Sequence, residues 1–259
     1  MTQAEKRRFL IRRLLSEERE YRKLAVPPGA DAQKRLLRSL LNVRPARAAG
    51  PDFLAVQDAY LREELRKKDV VGPEDLTPIA EGLYLWQGDI TTLRCDAIVN
   101  AANSGMTGCY IPCHRCIDNC IHTCAGVQLR QECAAIMEAQ GCAEKPGRAK
   151  ITGAYNLPCK HILHTVGPII RGRTTPEDRE LLASCYRSCL TLAAEHGLES
   201  VAFCCISTGE FRFPNREAAE IAVKTVRQFL QEPTSVKKVI FNVFKDADYS
   251  IYKELLAGN

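Results

Sequence analysis

The sequence predicts an α/β protein with a helical extension at its N-terminus, on three observations. Short apolar runs at 83–87, 96–99, 160–167, 200–206 and 239–243 alternate with longer stretches of helical period. Loops rich in Asn, Ser, Thr and Gly follow two of these runs, and in an open α/β sheet the carboxyl ends of strands are where ligands bind. Three amphipathic stretches precede the first run, with no strand pattern among them.

In chain order, Phe9, Leu10, Leu14, Leu15 and Tyr21 recur among charges and predict a helix over 3–24, ended by Pro27, Pro28 and Gly29. Asp31 reads as the N-cap of a second helix through Leu36, Leu37, Leu40 and Leu41, and Asp52 as the cap of a third through Phe53, Val56, Tyr60 and Leu65. Short helices are marginal alone in water, so these are expected to pack on the rest of the chain. The organisation expected is an extension over 1–75 and a main domain over 76–259. Within the latter, LYLWQ reads as a buried strand, DAIV as the next with Asn100 at its end, and 119–137 as one continuous helix in which Gly126, Val127 and Leu129 pack. Further helices are predicted over 176–196, 216–230 and 249–256, the first with Pro176 in its opening turn and Gly197 just past its end.

Composition excludes several classes. No apolar run approaches the roughly 20 residues of a membrane span, and the N-terminus lacks the apolar core of an export signal. A cytoplasmic protein with reduced thiols is expected, since the 13 cysteines are odd in number in a long chain. The net charge of +5 is concentrated in residues 1–50, with 13 Lys plus Arg against 5 Asp plus Glu. Aromatic interleaving of the kind used by single-strand binders is lacking there, so a solvated helical face is expected rather than nucleic-acid binding.

The chemistry concentrates in NAANSGMTGCYIPCHRCIDNCIHTCAG, residues 100–126. Cys109, Cys113, His114 and Cys116 lie within eight residues, a soft thiolate and imidazole set suited to zinc. Cys109, His114 and Cys116 alone would leave a tetrahedral position open, as a catalytic site requires; Cys113 as a fourth ligand would close it. Cys120 and Cys124 continue at helical spacing and read as packing. Asp118 falls where a helix begins, a position open both to capping and to catalysis. His122, one turn on, reads as a satisfied core histidine, and His161 and His164 read as packing in their strand.

Gly88-Asp89-Ile90-Thr91, Asn100-Ala-Ala-Asn103, the run IDNCIH containing Asp118, and Ser207-Thr208-Gly209-Glu210-Phe211 occur in the order of the macrodomains, the ADP-ribose-binding fold, and the chain from Leu83 onward resembles that family. The CYIPCHRC segment, in place of a glycine run, resembles the microbial zinc-containing macrodomains. The resemblance implies a three-layer α/β/α macrodomain with a mixed central sheet. It implies adenine contacts from Asp89 and Ile90, the distal ribose on Asn103 with Asn100 supporting the loop, and the pyrophosphate on Ser207, Thr208, Gly209 and Glu210 with Phe211 flanking the proximal ribose. Phe244 and Asp246 are implied at the adenine rim. One Zn2+ per chain on Cys109, His114 and Cys116, with Asp118 and Asn103 as catalytic residues, is implied for removal of mono-ADP-ribose from modified protein side chains, Asp/Glu-linked. The alternative is a reader that binds without cleaving. Zinc-containing members also suggest a lipoyl-carrier protein, modified by a sirtuin-like transferase, as substrate.

Overall fold

A computed structural model of the chain describes residues 1–258. Its centre is a six-stranded sheet formed by β1 (Leu83–Gln87), β2 (Ala97–Ala101), β3 (Ala149–Gly153), β4 (His161–Thr165), β5 (Ser200–Phe203) and β6 (Lys238–Val243), in the spatial order β1-β6-β5-β2-β4-β3. All neighbours are parallel except β3 with β4, so the sheet is mixed. Val99, Ile98, Val201, Ile240 and Leu163 are fully buried, as strands covered on both faces require.

Helices α4 (Ile117–Ala125) and α5 (Val127–Gln140) pack against β2 and β3 respectively; α6 (Pro176–Glu195) packs on β3 and β4, α8 (Asp246–Ala257) on β1 and β6, and α7 (Asn215–Leu230) lies between α6 and α8. The extension is α1 (Gln3–Glu17), α2 (Ala30–Val43) and α3 (Pro51–Leu65). These share a small core of Leu10, Ile11, Leu14, Leu37, Leu40, Phe53 and Tyr60, which Val127 of α5 enters from the main domain. No helix among the described residues is long and apolar enough to cross a membrane.

Several elements differ from the sequence-based expectation. The helix expected over 119–137 is two helices, broken at Gly126, whose φ of 102° is the left-handed side of the map. A Cβ there would lie 2.6 Å from Gln57 Nε2, and Gln57 Oε1 accepts from the Val127 amide at 3.0 Å. A side chain seventy positions away thus caps α5. Strand β3 carries no apolar run because it is a half-buried edge paired with β4 alone. Helix α1 ends at Glu17 rather than running on to 24, and α2 and α3 begin one residue before the carboxylates expected to cap them. Gly29 and Gly50 are the N-caps, and Asp31 and Asp52 fall in the first turns. Asn100 lies within β2, opposite His164, not at its end.

Candidate functional site

The parallel strands β1, β2, β4, β5 and β6 all end at one edge of the sheet, so the loops after them share it. Asp118 sits at the middle of this edge. It is not the N-cap of α4; that is Cys116, whose Sγ accepts from the Asn119 amide at 3.4 Å. Asp118 is 4% exposed, and its oxygens are taken separately: Oδ1 accepts from Asn100 Nδ2 at 2.8 Å and Oδ2 from Asn103 Nδ2 at 3.1 Å. Burial pushes its carboxyl up to about 6, with the two asparagine amides and the Arg130 guanidinium opposing that rise. A buried carboxylate poised near neutrality is the form a general base takes.

Behind it, Asn100 Nδ2 also lies 3.1 Å from His164 Nδ1, and His164 Nε2 lies 2.9 Å from Thr152 Oγ1. Burial keeps His164 neutral, down to about 3. Because Asn100 donates to Nδ1, the proton of His164 sits on Nε2, facing Thr152. His122 departs from the expectation of a satisfied core histidine. It is buried, but neither ring nitrogen has a hydrogen-bond partner, and its Nε2 lies 3.5 Å from Asp118 Oδ1. Burial holds that imidazole neutral, so the approach is not an ion pair.

The segment after β2 brings together Cys109 Sγ, His114 and Cys116 Sγ with their donor atoms within 4.8 Å of one another, Cys109 Sγ lying 3.4 Å from His114 Nδ1. Two sulfurs and one imidazole nitrogen at this spacing fit zinc and leave room for a fourth ligand. Burial, with the nearby charges of Cys109 and Asp118, pushes the Cys116 thiol up to about 12, and a divalent cation would invert that balance. Cys113 stands apart from the trio. Its φ is 54°, its amide donates to Asn42 Oδ1 at 2.9 Å, and its sulfur lies 3.2 Å from Ser39 Oγ, both on α2. His114 turns its other nitrogen, Nε2, to within 3.4 Å of Glu210 Oε1, so the segment that carries the trio meets the loop after β5. Asn103 ties the trio to Asp118, since its Nδ2 also donates to the Gly108 carbonyl at 3.0 Å.

In the loop after β5, Ser207 is in the left-handed region at φ 64° and its hydroxyl is buried without a partner. The left-handed turn at Ser207, followed by Gly209, is of the kind whose backbone amides suit an anionic oxygen. The turn is closed by the Phe213 amide on Ser207 O and the Arg212 amide on Gly209 O, and Thr208 Oγ1 donates to Cys205 O at 3.0 Å. Phe211 O accepts from Ile170 of the loop after β4. Gly167 is required there, because a Cβ would lie 2.0 Å from Ser207 Oγ.

Asp89 follows β1. Its Oδ1 accepts from the amide and hydroxyl of Thr91, making it the cap of a short 3-10 turn, and its Oδ2 pairs with Lys68 at 2.8 Å. Burial raises its pKa, but Lys68 and Thr91 outweigh that and hold the carboxyl below its usual range. The Ile90 side chain is core, at 2% exposure, so only its backbone is available to a ligand. Phe244, 78% exposed, stands after β6 on the same edge, and Asp246 accepts from Gln87.

Sequence reasoning missed Lys68 at Asp89 and Arg130 near Asp118. Arg130 is 5% exposed and donates to the Leu41, Asn42 and Arg44 carbonyls, with its guanidinium 4.4 Å over the Tyr110 ring. Its one signal was a cation on the inward face of an apolar helix.

A mixed sheet with a carboxylate and two asparagines at its ligand edge, a glycine-hydroxyl turn beside them and an aspartate one strand over defines a macrodomain. Residues 99–222 match the Macro domain. A "Protein-ADP-ribose hydrolase" of Treponema medium is 56% identical over 99% of this chain and 100% of its own length. One of Staphylococcus aureus is 52% identical over 95% of this chain and 93% of its own. The crystal structure of a Trypanosoma brucei macrodomain in complex with ADP-ribose aligns with a TM-score of 0.66 at 32% identity, over 85% of this chain and 94% of that one. The chain belongs to the macrodomain family, in its protein-ADP-ribose hydrolase branch.

Proposed function

We propose that this macrodomain is a zinc-dependent hydrolase that removes mono-ADP-ribose from Asp- or Glu-linked protein side chains in the cytoplasm. The observation that carries this reading is that the Asn103 side chain links Asp118, buried and raised to about 6, to the carbonyl of Gly108, the residue before the Cys109–His114–Cys116 trio begins. ADP-ribose would lie along the sheet edge, adenine at Asp89 and the Ile90 backbone, diphosphate on the Ser207–Phe211 turn, distal ribose at Asn103. Cys109, His114 and Cys116 would hold a zinc ion, which would supply Lewis acidity at neutral pH.

The residues of the chain divide the remaining work. Asp118, ionised, accepts a proton from water as the water oxygen bonds to the anomeric carbon and the side-chain carboxylate leaves, giving free ADP-ribose and an unmodified carboxylate. Asn100 and Asn103 fix both oxygens of Asp118, so the base has one orientation. The Ser207–Phe211 turn, set by the left-handed backbone of Ser207, would present backbone amides to the diphosphate. A modified lipoyl-carrier protein, written by a sirtuin-like transferase, is the substrate we favour on family likeness.

The test is release of ADP-ribose from a mono-ADP-ribosylated acidic protein by enzyme loaded with zinc, stripped by chelator and reloaded. Loss and recovery of turnover is the expected result. Equal turnover in all three states would remove zinc from the chemistry, and binding of ADP-ribose without release would make the protein a reader.

A further inference from the structure

Between Cys109 and Arg115 the chain makes one backbone–backbone hydrogen bond among the described residues, His114 N to Ile111 O at 3.2 Å. A seven-residue stretch with so little internal structure cannot by itself hold the donor atoms of Cys109 and His114 in place against Cys116, the N-cap of α4. Its other anchors come from outside. Asn119 Nδ2 donates to the carbonyls of Cys109 and Ile111 at 3.3 and 3.0 Å. Arg38 of α2 donates through one nitrogen, Nη2, to the carbonyl of His114 at 2.7 Å, to Asn119 Oδ1 at 3.0 Å and to Cys120 Sγ at 3.4 Å. Arg38 therefore grips one trio member directly and orients the asparagine that grips another.

One turn further along α2, Asn42 is 1% exposed and spans the same gap from the other side. Its Oδ1 accepts from the Cys113 amide at 2.9 Å and its Nδ2 donates to Thr123 of α4 at 2.9 Å. Cys113 is held in the left-handed region, with its sulfur against Ser39 and the Arg35 carbonyl. A non-glycine residue in that region persists only where neighbours over-determine it, and here all of those neighbours are on α2. The end of α2 is pinned in turn by Arg130, on the far side of the Tyr110 ring.

We infer that the N-terminal extension is the scaffold of the metal segment, with Arg38 and Asn42 as positioning residues for Cys109, His114 and Cys116. The inference deepens the zinc reading proposed above and rests on it for the metal arm of its test. In metal sites, partners outside the ligand set fix ligand orientation, and their loss typically costs 10- to 100-fold in metal affinity. The basic character of the extension thus includes a cation used internally, bonded to a loop carbonyl, rather than displayed to a partner.

Arg38→Ala, Arg38→Lys and Asn42→Leu would be compared with the full wild-type chain and with Arg12→Ala, an exposed control on α1. Zinc affinity by competition with a chromogenic chelator, and hydrogen exchange of segment 109–116 against the β1 and β6 strands, are the two readouts. Arg38→Ala and Asn42→Leu are expected to bind zinc 10- to 100-fold more weakly and to exchange faster in 109–116, with strand protection unchanged. Arg38→Lys, which keeps charge but loses the guanidinium geometry, should be intermediate, and the control should match wild type. Wild-type zinc affinity and exchange in Arg38→Ala would overturn the inference. A wild-type chain that holds no zinc would sink the zinc reading instead, and faster exchange of 109–116 in the variants would still uphold the scaffold. Loss of strand protection in Arg38→Ala would send the decision to Arg38→Lys, where unchanged exchange in 109–116 overturns it.

Discussion

Between pH 4 and pH 7 the Asp118 carboxyl should be visible in two measurements that move in opposite directions. Its pKa is raised from an ordinary 3.8 to about 6 by burial, so in that interval the unfolded chain gives up a proton that the folded chain still holds. The stabilisation this brings is full below the unfolded value and is lost as pH rises through the folded one; a displacement of this size is worth about 3 kcal/mol. Other carboxylates act the other way. Asp89, Asp96 and Glu144 are held below their usual range despite burial and lose stabilisation as pH falls. Subtracting the Asp118→Asn variant cancels their contribution. Thermal melts of the two proteins from pH 4 to 7.5 should show wild type losing ground to the variant by about 3 kcal/mol, roughly 2–4 °C per kcal/mol for a chain of this size. Over the same interval kcat/KM of the wild type should rise tenfold per pH unit and level off above about 6, while the variant loses at least 100-fold at every pH. A stability difference that does not change with pH, or an activity midpoint near 4, would refute the account of Asp118 as a desolvated base.

Two further outcomes test the ends of the cleft. Gly167→Ala would drive a methyl into the Ser207 hydroxyl and to 2.9 Å from Ile206 Cγ2, and should weaken ADP-ribose binding at least tenfold by calorimetry while the zinc content stays unchanged. Cys113→Ser should retain zinc within a few-fold of wild type, because its sulfur faces Ser39 rather than the trio; loss of the metal would restore the closed four-ligand site.

Most strands were legible because each is a short apolar run, and α6 announced itself through Pro176, which opens its first turn, and Gly197, which follows its C-cap in the left-handed region. What failed was non-local. Nothing near Gly126 in sequence reveals that Gln57 approaches it, and β3 is an edge whose pairing comes wholly from β4. The site divides in the same way. Cys109, His114 and Cys116 were readable as a donor set from their spacing. That Cys113 would be drawn off by α2, that Asp89 would be paired with Lys68, and that His122 would be buried without a partner depend on residues between four and 74 positions away. Short-range chemistry is written in the order of residues; its selection among neighbours is made by the fold.

The interruption between α4 and α5 carries a consequence for cooperativity. Gln57 caps Val127, reaches Gln128, and lies beside Asp58, which accepts from Asn156 at 2.8 Å; Asn156 in turn bonds the last carbonyl of α4. One turn of α3 therefore supplies the polar closure at the junction of α4, which carries Asp118, with α5, which carries Arg130. Release of α3 would leave the Val127 amide without its acceptor, so the extension and the α4–α5 junction are expected to melt in one transition. What looks in sequence like an appendage closes the polar junction of two main-domain helices, and the sheet edge that holds Asp118 rests on side chains from both halves of the chain.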